Sequence, residues 1–459
     1  MRQAARLFVV GMCLLVGASA TAHAQIYTAS LQPGQEVPQV ASTATGFGRV
    51  VLDEVAGTIS YTVVFNGLSS AQTAAHIHSA AIGANGGVSI NFGTAPGSVT
   101  SGTLTGTAAI TPTQITALRS NGTYINVHSV DFPGGEIRGQ LAVARYVDFD
   151  GDGRTDPSVL RFPTVAPPGV AQITYYNLNS STGFQAASWG NANTDFPATG
   201  DYDGDGIDDL AVYRTGASPG AQSTFYVVNS SDDSVTVVPF GLYGDQQVVA
   251  DYDGDGRTDF AVFRKGAAAG NPAIWYIRRS SDAGVSIVHW GTTGNGVSSD
   301  DIPVPTDYDG DGKADLAVYR YGMSPSNSYL IRRSSDLVYR VQAWGNYSTD
   351  FTVPGDFDGD GKGDFVAARV GASPSNPMAW WILQSSTGNM RFVQWGITSD
   401  LPLVGDYDGD GRADVAIYRK GATAGAQSYY WINQSLTGST RVLPWGLGSD
   451  FAVASSRSK

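Results

Sequence analysis

The stretch Asp-x-Asp-Gly-Asp-Gly-x-x-Asp occurs six times in this chain, beginning at Asp148, Asp201, Asp251, Asp307, Asp356 and Asp406. Each copy carries carboxylates at positions 1, 3, 5 and 9 and glycines at 4 and 6. Two carboxylates ~4 Å apart repel by about 1 kcal/mol in water and about 4 at an effective dielectric of 20. A loop that gathers four of them therefore needs a cation. Six to eight hard oxygens suit calcium, so the reading is about six Ca²⁺ ions per chain.

The expected ligands follow from the spacing, with the residue at position 7 lending its backbone carbonyl. They are Asp148, Asp150, Asp152, Arg154 and Asp156 in the first loop, and Asp201, Asp203, Asp205, Ile207 and Asp209 in the second. The third and fourth offer Asp251, Asp253, Asp255, Arg257 and Asp259, then Asp307, Asp309, Asp311, Lys313 and Asp315. The last two offer Asp356, Asp358, Asp360, Lys362 and Asp364, then Asp406, Asp408, Asp410, Arg412 and Asp414. An EF-hand would need Glu at position 12 between helices. Here that position is Val159, Val212, Val262, Val318, Ala367 or Ile417, within β-branched, aromatic runs such as Asp209-Leu-Ala-Val-Tyr-Arg214 that predict strands.

The loop starts lie 49 to 56 residues apart. A period near 50 with four strand patterns per unit predicts the blades of a β-propeller. Each unit closes on Trp-Gly, as at Trp189, Trp290, Trp344, Trp395 and Trp445, with Phe240-Gly241 in the remaining one. The last unit runs into Ser449–Ala454 and stops before a seventh loop, so this segment is expected to complete the first blade beside Asp156–Leu160. Six blades are the reading, with seven as the alternative. The arginines that end the repeated strand, among them Arg214, Arg264, Arg320, Arg369 and Arg419, are expected to stack on blade aromatics or pair locally. Recurrent turns at Gly216–Pro219, Gly371–Pro374 and Gly421–Ala424, followed by Tyr226, Trp380 and Trp431, are candidates for a ligand-binding face, with plain blade connections as the other reading.

Residues 25–144 lack the repeat. Alternating runs at Gly48–Leu52, Thr58–Phe65, Ser89–Phe92, Tyr124–His128 and Glu136–Leu141 predict an antiparallel β-sandwich, with one short helix at Thr113–Arg119. His76 and His78 share a strand face, and Tyr124, Asn126 and His128 share another. If the two strands are neighbours the imidazoles converge, and copper or zinc would accept them; hydrogen-bonded histidines are the other reading. Glu136 is a candidate to join that site, though a turn and an Arg138 contact are the reading preferred for it.

The chain opens with Arg2, Arg6, an apolar run over 7–17 and Ala22-His-Ala24, the layout of a secretory signal peptide over 1–24. The single cysteine, Cys13, lies within it, so the mature chain has no thiol to cross-link. The formal charge of -13 comes largely from the loop aspartates. That excess argues against a nucleic-acid partner, and the mature chain carries no transmembrane segment.

Residues 25–144 resemble the CHRD domain on Ala75-His-Ile-His78, Tyr124-Ile-Asn-Val-His128 and Pro133-Gly-Gly-Glu-Ile-Arg-Gly-Gln-Leu141. Residues 145–459 are similar to FG-GAP/VCBS repeats, the calcium-loop blades also found in integrin α-chain propellers. Together the resemblances imply a secreted, periplasmic or cell-surface calcium-binding protein that acts as an adhesion or binding module for an extracellular protein or glycan. The alternatives are a copper- or zinc-handling exported protein and a polysaccharide-active hydrolase or lyase built on a propeller. No catalytic residues are assigned.

Overall fold

The structure is a computed structural model that describes residues 25–53, 56–81, 83–97, 99–119, 122–141, 147–151, 153–163, 171–294, 300–322, 326–346 and 350–453. The expected leader over 1–24 and the expected ligand Asp152 lie outside the described residues.

The first unit contains β1 (Gln25–Leu31), β2 (Thr45–Asp53), β3 (Thr58–Asn66), β4 (Gln72–Ser79), β5 (Gly87–Asn91), β6 (Gly102–Ala109), α1 (Pro112–Arg119), β7 (Thr123–Ser129) and β8 (Ile137–Gln140). They form two antiparallel four-stranded sheets ordered β1-β2-β3-β6 and β5-β4-β7-β8. Alternate residues face inward. Ile59, Val63 and Phe65 of one sheet and Ile77, Ile125 and Val127 of the other share one buried cluster, as two stacked sheets require. The approach is close at Gly48, where a Cβ would lie 2.2 Å from Ile125 Cδ1. The helix begins one residue before the expected Thr113. Thr111 and Gln114 form a reciprocal cap, with Thr111 N donating to Gln114 Oε1 at 2.8 Å and Gln114 N to Thr111 Oγ1 at 3.3 Å, and Pro112 takes the first helical position.

The rest of the described chain is six further four-stranded antiparallel sheets. The second runs Asp195–Pro197, Leu210–Arg214, Gln222–Val228 and Val235–Leu242, and the next four repeat that order. The first sheet differs. Its β9 (Ser158–Arg161), β10 (Gln172–Asn179) and β11 (Gly183–Asn191) lack a lead strand, and Phe451–Ala452 from the chain's end takes that place, pairing Phe451 with Leu160 and Ala452 with Val159.

Apolar clusters bridge neighbouring sheets, including Val159 of the first with Tyr418, Tyr430 and Ile432 of the sixth. The Trp-Gly signature has a physical role in this stacking. The indole of Trp189 donates to Tyr226 O, Trp290 to Leu330 O, Trp344 to Trp381 O and Trp395 to Trp431 O, each in the next sheet, and Trp445 returns to Tyr176 O at 3.1 Å. Phe240 has no N–H to give. The following glycine holds φ between 80° and 99° wherever the motif occurs, a region that favours glycine.

Each strand-ending arginine pairs with an aspartate on the lead strand or just before it: Arg214–Asp195, Arg264–Asp245, Arg320–Asp301, Arg369–Asp350 and Arg419–Asp400, with both Nε and Nη2 donating. In the first sheet Arg161 reaches Asp450, 289 residues away, at 2.8 and 2.7 Å. Five of these guanidinium groups, those of Arg161, Arg214, Arg264, Arg369 and Arg419, also lie over Tyr176, Tyr226, Tyr276, Trp381 and Trp431 at 4.4 to 5.7 Å from the ring centres. Of the aromatics that follow the recurrent turns, Trp380 is fully buried, and Tyr226 and Trp431 lie beneath arginines.

Deleting residues 447–459 removes the last strand, the Asp450 carboxylate and the N–H of Val453 that bonds Ser158 O at 2.8 Å. An untied tail would be dispensable. We expect the truncated chain to aggregate or to melt several degrees lower, and Asp450→Ala to lower the midpoint in the same direction. A truncated chain as soluble and thermostable as the parent would sink the closure.

Candidate functional site

In the five sheets that carry their own lead strand, the acidic loop connects that strand to the next, and in the first it leads into β9. The loops are tied to one another by backbone. The position-8 N–H of each loop donates to the position-1 carbonyl of the loop before it: Asp208 to Asp148, Thr258 to Asp201, Ala314 to Asp251, Gly363 to Asp307 and Ala413 to Asp356. Thr155 N donates to Asp406 O at 2.7 Å, so the sixth loop connects back to the first. Position-7 side chains reach the same way. Arg257 packs over Gly204, Arg412 over Gly359, Arg154 over Gly409 and Ile207 over Gly151, where an added Cβ would meet them at 2.6 to 2.9 Å. Position 4 must therefore stay bare.

Within a loop the carboxylates have different tasks. The position-1 aspartate accepts from the glycine N–H groups at positions 4 and 6, as Asp251 does from Gly254 at 2.6 Å and Gly256 at 2.9 Å. The position-9 aspartate accepts from the position-2 N–H and from a serine N–H on the far turn of the same sheet. For Asp259 these are Tyr252 at 2.9 Å and Ser280 at 2.7 Å. That serine's hydroxyl donates to position 5, Ser280 to Asp255 at 2.8 Å, and its neighbour's to position 3, Ser281 to Asp253 at 2.6 Å. The same pattern recurs with Ser334 and Ser335, and with Ser385 and Ser386. In the first loop Ser181 Oγ bonds Asp150.

These serines were not among the expected ligands. Their signal was present as a Ser-Ser dipeptide that recurs beyond the third strand of each unit, replaced once by Ser435-Leu436, but its distance from the loop varies.

The structure brings three of the expected carboxylates together in each of four loops. Carboxylate oxygens of Asp148, Asp150 and Asp156, of Asp201, Asp203 and Asp209, of Asp251, Asp253 and Asp255, and of Asp307, Asp309 and Asp311 lie within 4.8 Å of one another in each set. Burial first, and neighbouring carboxylates second, push Asp156 up to about 9. Burial likewise raises Asp259, Asp364, Asp406 and Asp414 to about 7 against opposing hydrogen bonds, and carries Asp307 and Asp356 well above the usual carboxylate range. The position-3 oxygens Asp150 Oδ1 and Asp358 Oδ1 are buried without a hydrogen-bond partner. Crowded carboxylates with unsatisfied oxygens fit a hard divalent cation.

A second cluster lies on the outer face of β4 and β7, which pair antiparallel with His76 opposite Asn126 and His78 opposite Tyr124. His76 Nδ1 is 3.2 Å from His128 Nε2, and the three ring centres are 5.0 to 5.9 Å apart. Burial lowers His128 to about 4 and also lowers His76. Glu136 stands elsewhere: its Oε1 accepts from Ser42 Oγ, Ser69 N and Ser69 Oγ, each at 2.7 Å. Arg138, its expected contact, instead lies 3.5 Å over the Tyr124 ring and donates to Ala84 O.

Comparison with known proteins assigns both units. The chain carries a CHRD domain over residues 27–141. It is followed by FG-GAP-like repeats, matched over 251–318 and 356–417. No curated protein matches the sequence. Among solved structures, TolB from Acinetobacter baumannii is 12% identical over 72% of this chain and 77% of that one, at a TM-score of 0.41. An acylaminoacyl peptidase from Pyrococcus horikoshii is 9% identical over 91% of this chain and 52% of that one, at 0.34. Likenesses this distant carry no functional argument. Among the described residues no helix is long and apolar enough to cross a membrane.

The raised carboxyls set a pH dependence. Without metal, the native state holds protons that an unfolded chain releases near pH ~4, so its stability falls as pH rises from about 4 through about 7. Cation binding requires the deprotonated form and reverses that slope. Melting temperatures between pH 5 and 8 should therefore decline in EDTA and rise in excess Ca²⁺; parallel profiles would count against cation loops.

Proposed function

We propose that this is an exported calcium-binding protein whose repeats form a closed six-bladed propeller, with a calcium ion in each loop, and that it serves as a binding or adhesion module for an extracellular protein or glycan. The observation that carries the reading is the connected circuit of six acidic loops, each bonded by backbone to the next. Carboxylates at positions 1, 3, 5 and 9 would hold the cation, and the bound charge would offset a repulsion that burial strengthens. The CHRD domain and FG-GAP-like repeats are consistent with a binding role. Strand direction puts the acidic loops and serine turns at one end of the sheets and exposed turns such as Ala217–Gly220 at the other. These turns leave a face open for a ligand.

Native-state binding stabilises by RT ln(1 + [L]/Kd), about 2.7 kcal/mol per site at a hundredfold excess. Chelation should lower the melting temperature sharply, and an unchanged transition in EDTA would overturn calcium as a structural element. The double substitution Asp253→Ala with Asp255→Ala should remove about one calcium per chain by metal analysis and leave the others, because repeat arrays sum local terms. Loss of all calcium from that variant would mean the loops act as one site. A glycan array and a screen of matrix proteins with the calcium-loaded chain test the binding role; no ligand retained in calcium and released in EDTA would argue against it.

A further inference from the structure

The sandwich carries a cluster whose chemistry differs from that of the acidic loops. We propose that His76, His78 and His128 form a three-imidazole centre for a divalent transition metal, with Cu²⁺ its tightest occupant and Zn²⁺ a weaker one.

Convergence is the first ground. One nitrogen from each ring lies within 4.8 Å of the other two. The 3.2 Å between His76 Nδ1 and His128 Nε2 matches two nitrogens on one metal, since bonds of about 2.0–2.1 Å at a tetrahedral angle place them roughly 3.3 Å apart.

Orientation is the second. His78 Nδ1 faces Gly86 O at 3.0 Å, and His128 Nδ1 faces Pro133 O at 3.0 Å. A carbonyl only accepts, so both Nδ1 atoms carry the proton and both Nε2 atoms keep a lone pair. That arrangement of a backbone carbonyl behind the ring is how metal-ligating imidazoles are held.

Satisfaction is the third. His78 is buried, and its Nε2 has no hydrogen-bond partner. A histidine pair joined by a hydrogen bond would satisfy His76 and His128 and still leave that nitrogen bare, at the cost attached to an unpaired buried polar atom. A metal satisfies all three. Tyr124 stacks on the His78 ring at 4.9 Å between centres and 10° between planes, under the Arg138 guanidinium, so the ring is packed in place.

The donor set selects the ion. Three neutral nitrogens without a carboxylate disfavour calcium and magnesium, which take oxygen. Imidazole donors suit copper and zinc, and the Irving–Williams order puts Cu²⁺ first. Three protein ligands leave a coordination position open to solvent or a small ligand. None of this depends on the repeats binding calcium.

The test uses the untagged full chain, stripped of metal and returned to excess Ca²⁺ so that the acidic loops do not compete. Titration with Cu²⁺ should saturate at one equivalent, and the electron paramagnetic resonance spectrum should carry the superhyperfine pattern of imidazole nitrogens. His78→Gln and His128→Gln should each weaken binding at least tenfold with little change in melting temperature in copper-free Ca²⁺ buffer, while His289→Gln, in the repeats, leaves it unchanged. Oxygen-only coordination in the parent, or parental affinity in both variants, would overturn the site. Should the variants fail to fold, the parent's spectrum alone decides.

Discussion

The array stands on one constraint: a row of antiparallel sheets is stable only if its first and last members have something to pack against and no open edge. This chain meets it by withholding one strand from the first sheet and supplying it from the far end. The joint is more than two residues of ladder. Asp450 with Arg161, Trp445 with the backbone of Tyr176, the Tyr430 hydroxyl with Ser158 O, and Thr155 with Asp406 O all cross the same seam. Each repeats a contact made between or within the other sheets, the Tyr430 bond matching those of Tyr175 to Ala211 O and Tyr329 to Val366 O, so the seam is built like the interior.

The acidic loops depend on that circuit. Position-1 carbonyls are committed to the next loop and position-1 carboxylates to the glycine amides, which fixes the backbone before any cation is considered. The serine turn then supplies hydroxyls to positions 3 and 5 from the same sheet. The outcome is a set of carboxylates held together against their own repulsion, with burial raising their proton affinity. Such a site is poised between two ligands, protons and a hard cation, and the chain has no cysteine beyond residue 13 with which to brace itself otherwise.

Much of this was legible from spacing. The loops, the strands that follow them, and the closing segment and its partner near Leu160 follow from periods of two and of about fifty; the convergence of His76, His78 and His128 needed the β4–β7 pairing as well. What escaped was of two kinds. Serine ligand partners and the Arg161–Asp450 pair are contacts across variable or very long separations, which no local pattern marks. Strand β6, Gly102–Ala109, is built of Thr, Gly and Ala with one buried Leu104, and only pairing with β3 reveals it. The Arg138 contact was misjudged because Glu136 and Arg138, though two apart, serve different partners: Glu136 is taken by serines from two other loops, and Arg138 by the Tyr124 ring across the sheet.

On the proposed reading, the two clusters keep different cation chemistries apart. In the loops, charge density would do the selecting: crowded anionic oxygens need protons or a hard cation, and neighbouring Arg154 and Arg257 moderate that charge without replacing it. Among the described residues no acid joins the three imidazoles as a group of ligand atoms, and selection there would fall to lone pairs aimed inward by backbone carbonyls. Glu136, eight residues beyond His128, is engaged instead by three hydrogen bonds from Ser42 and Ser69.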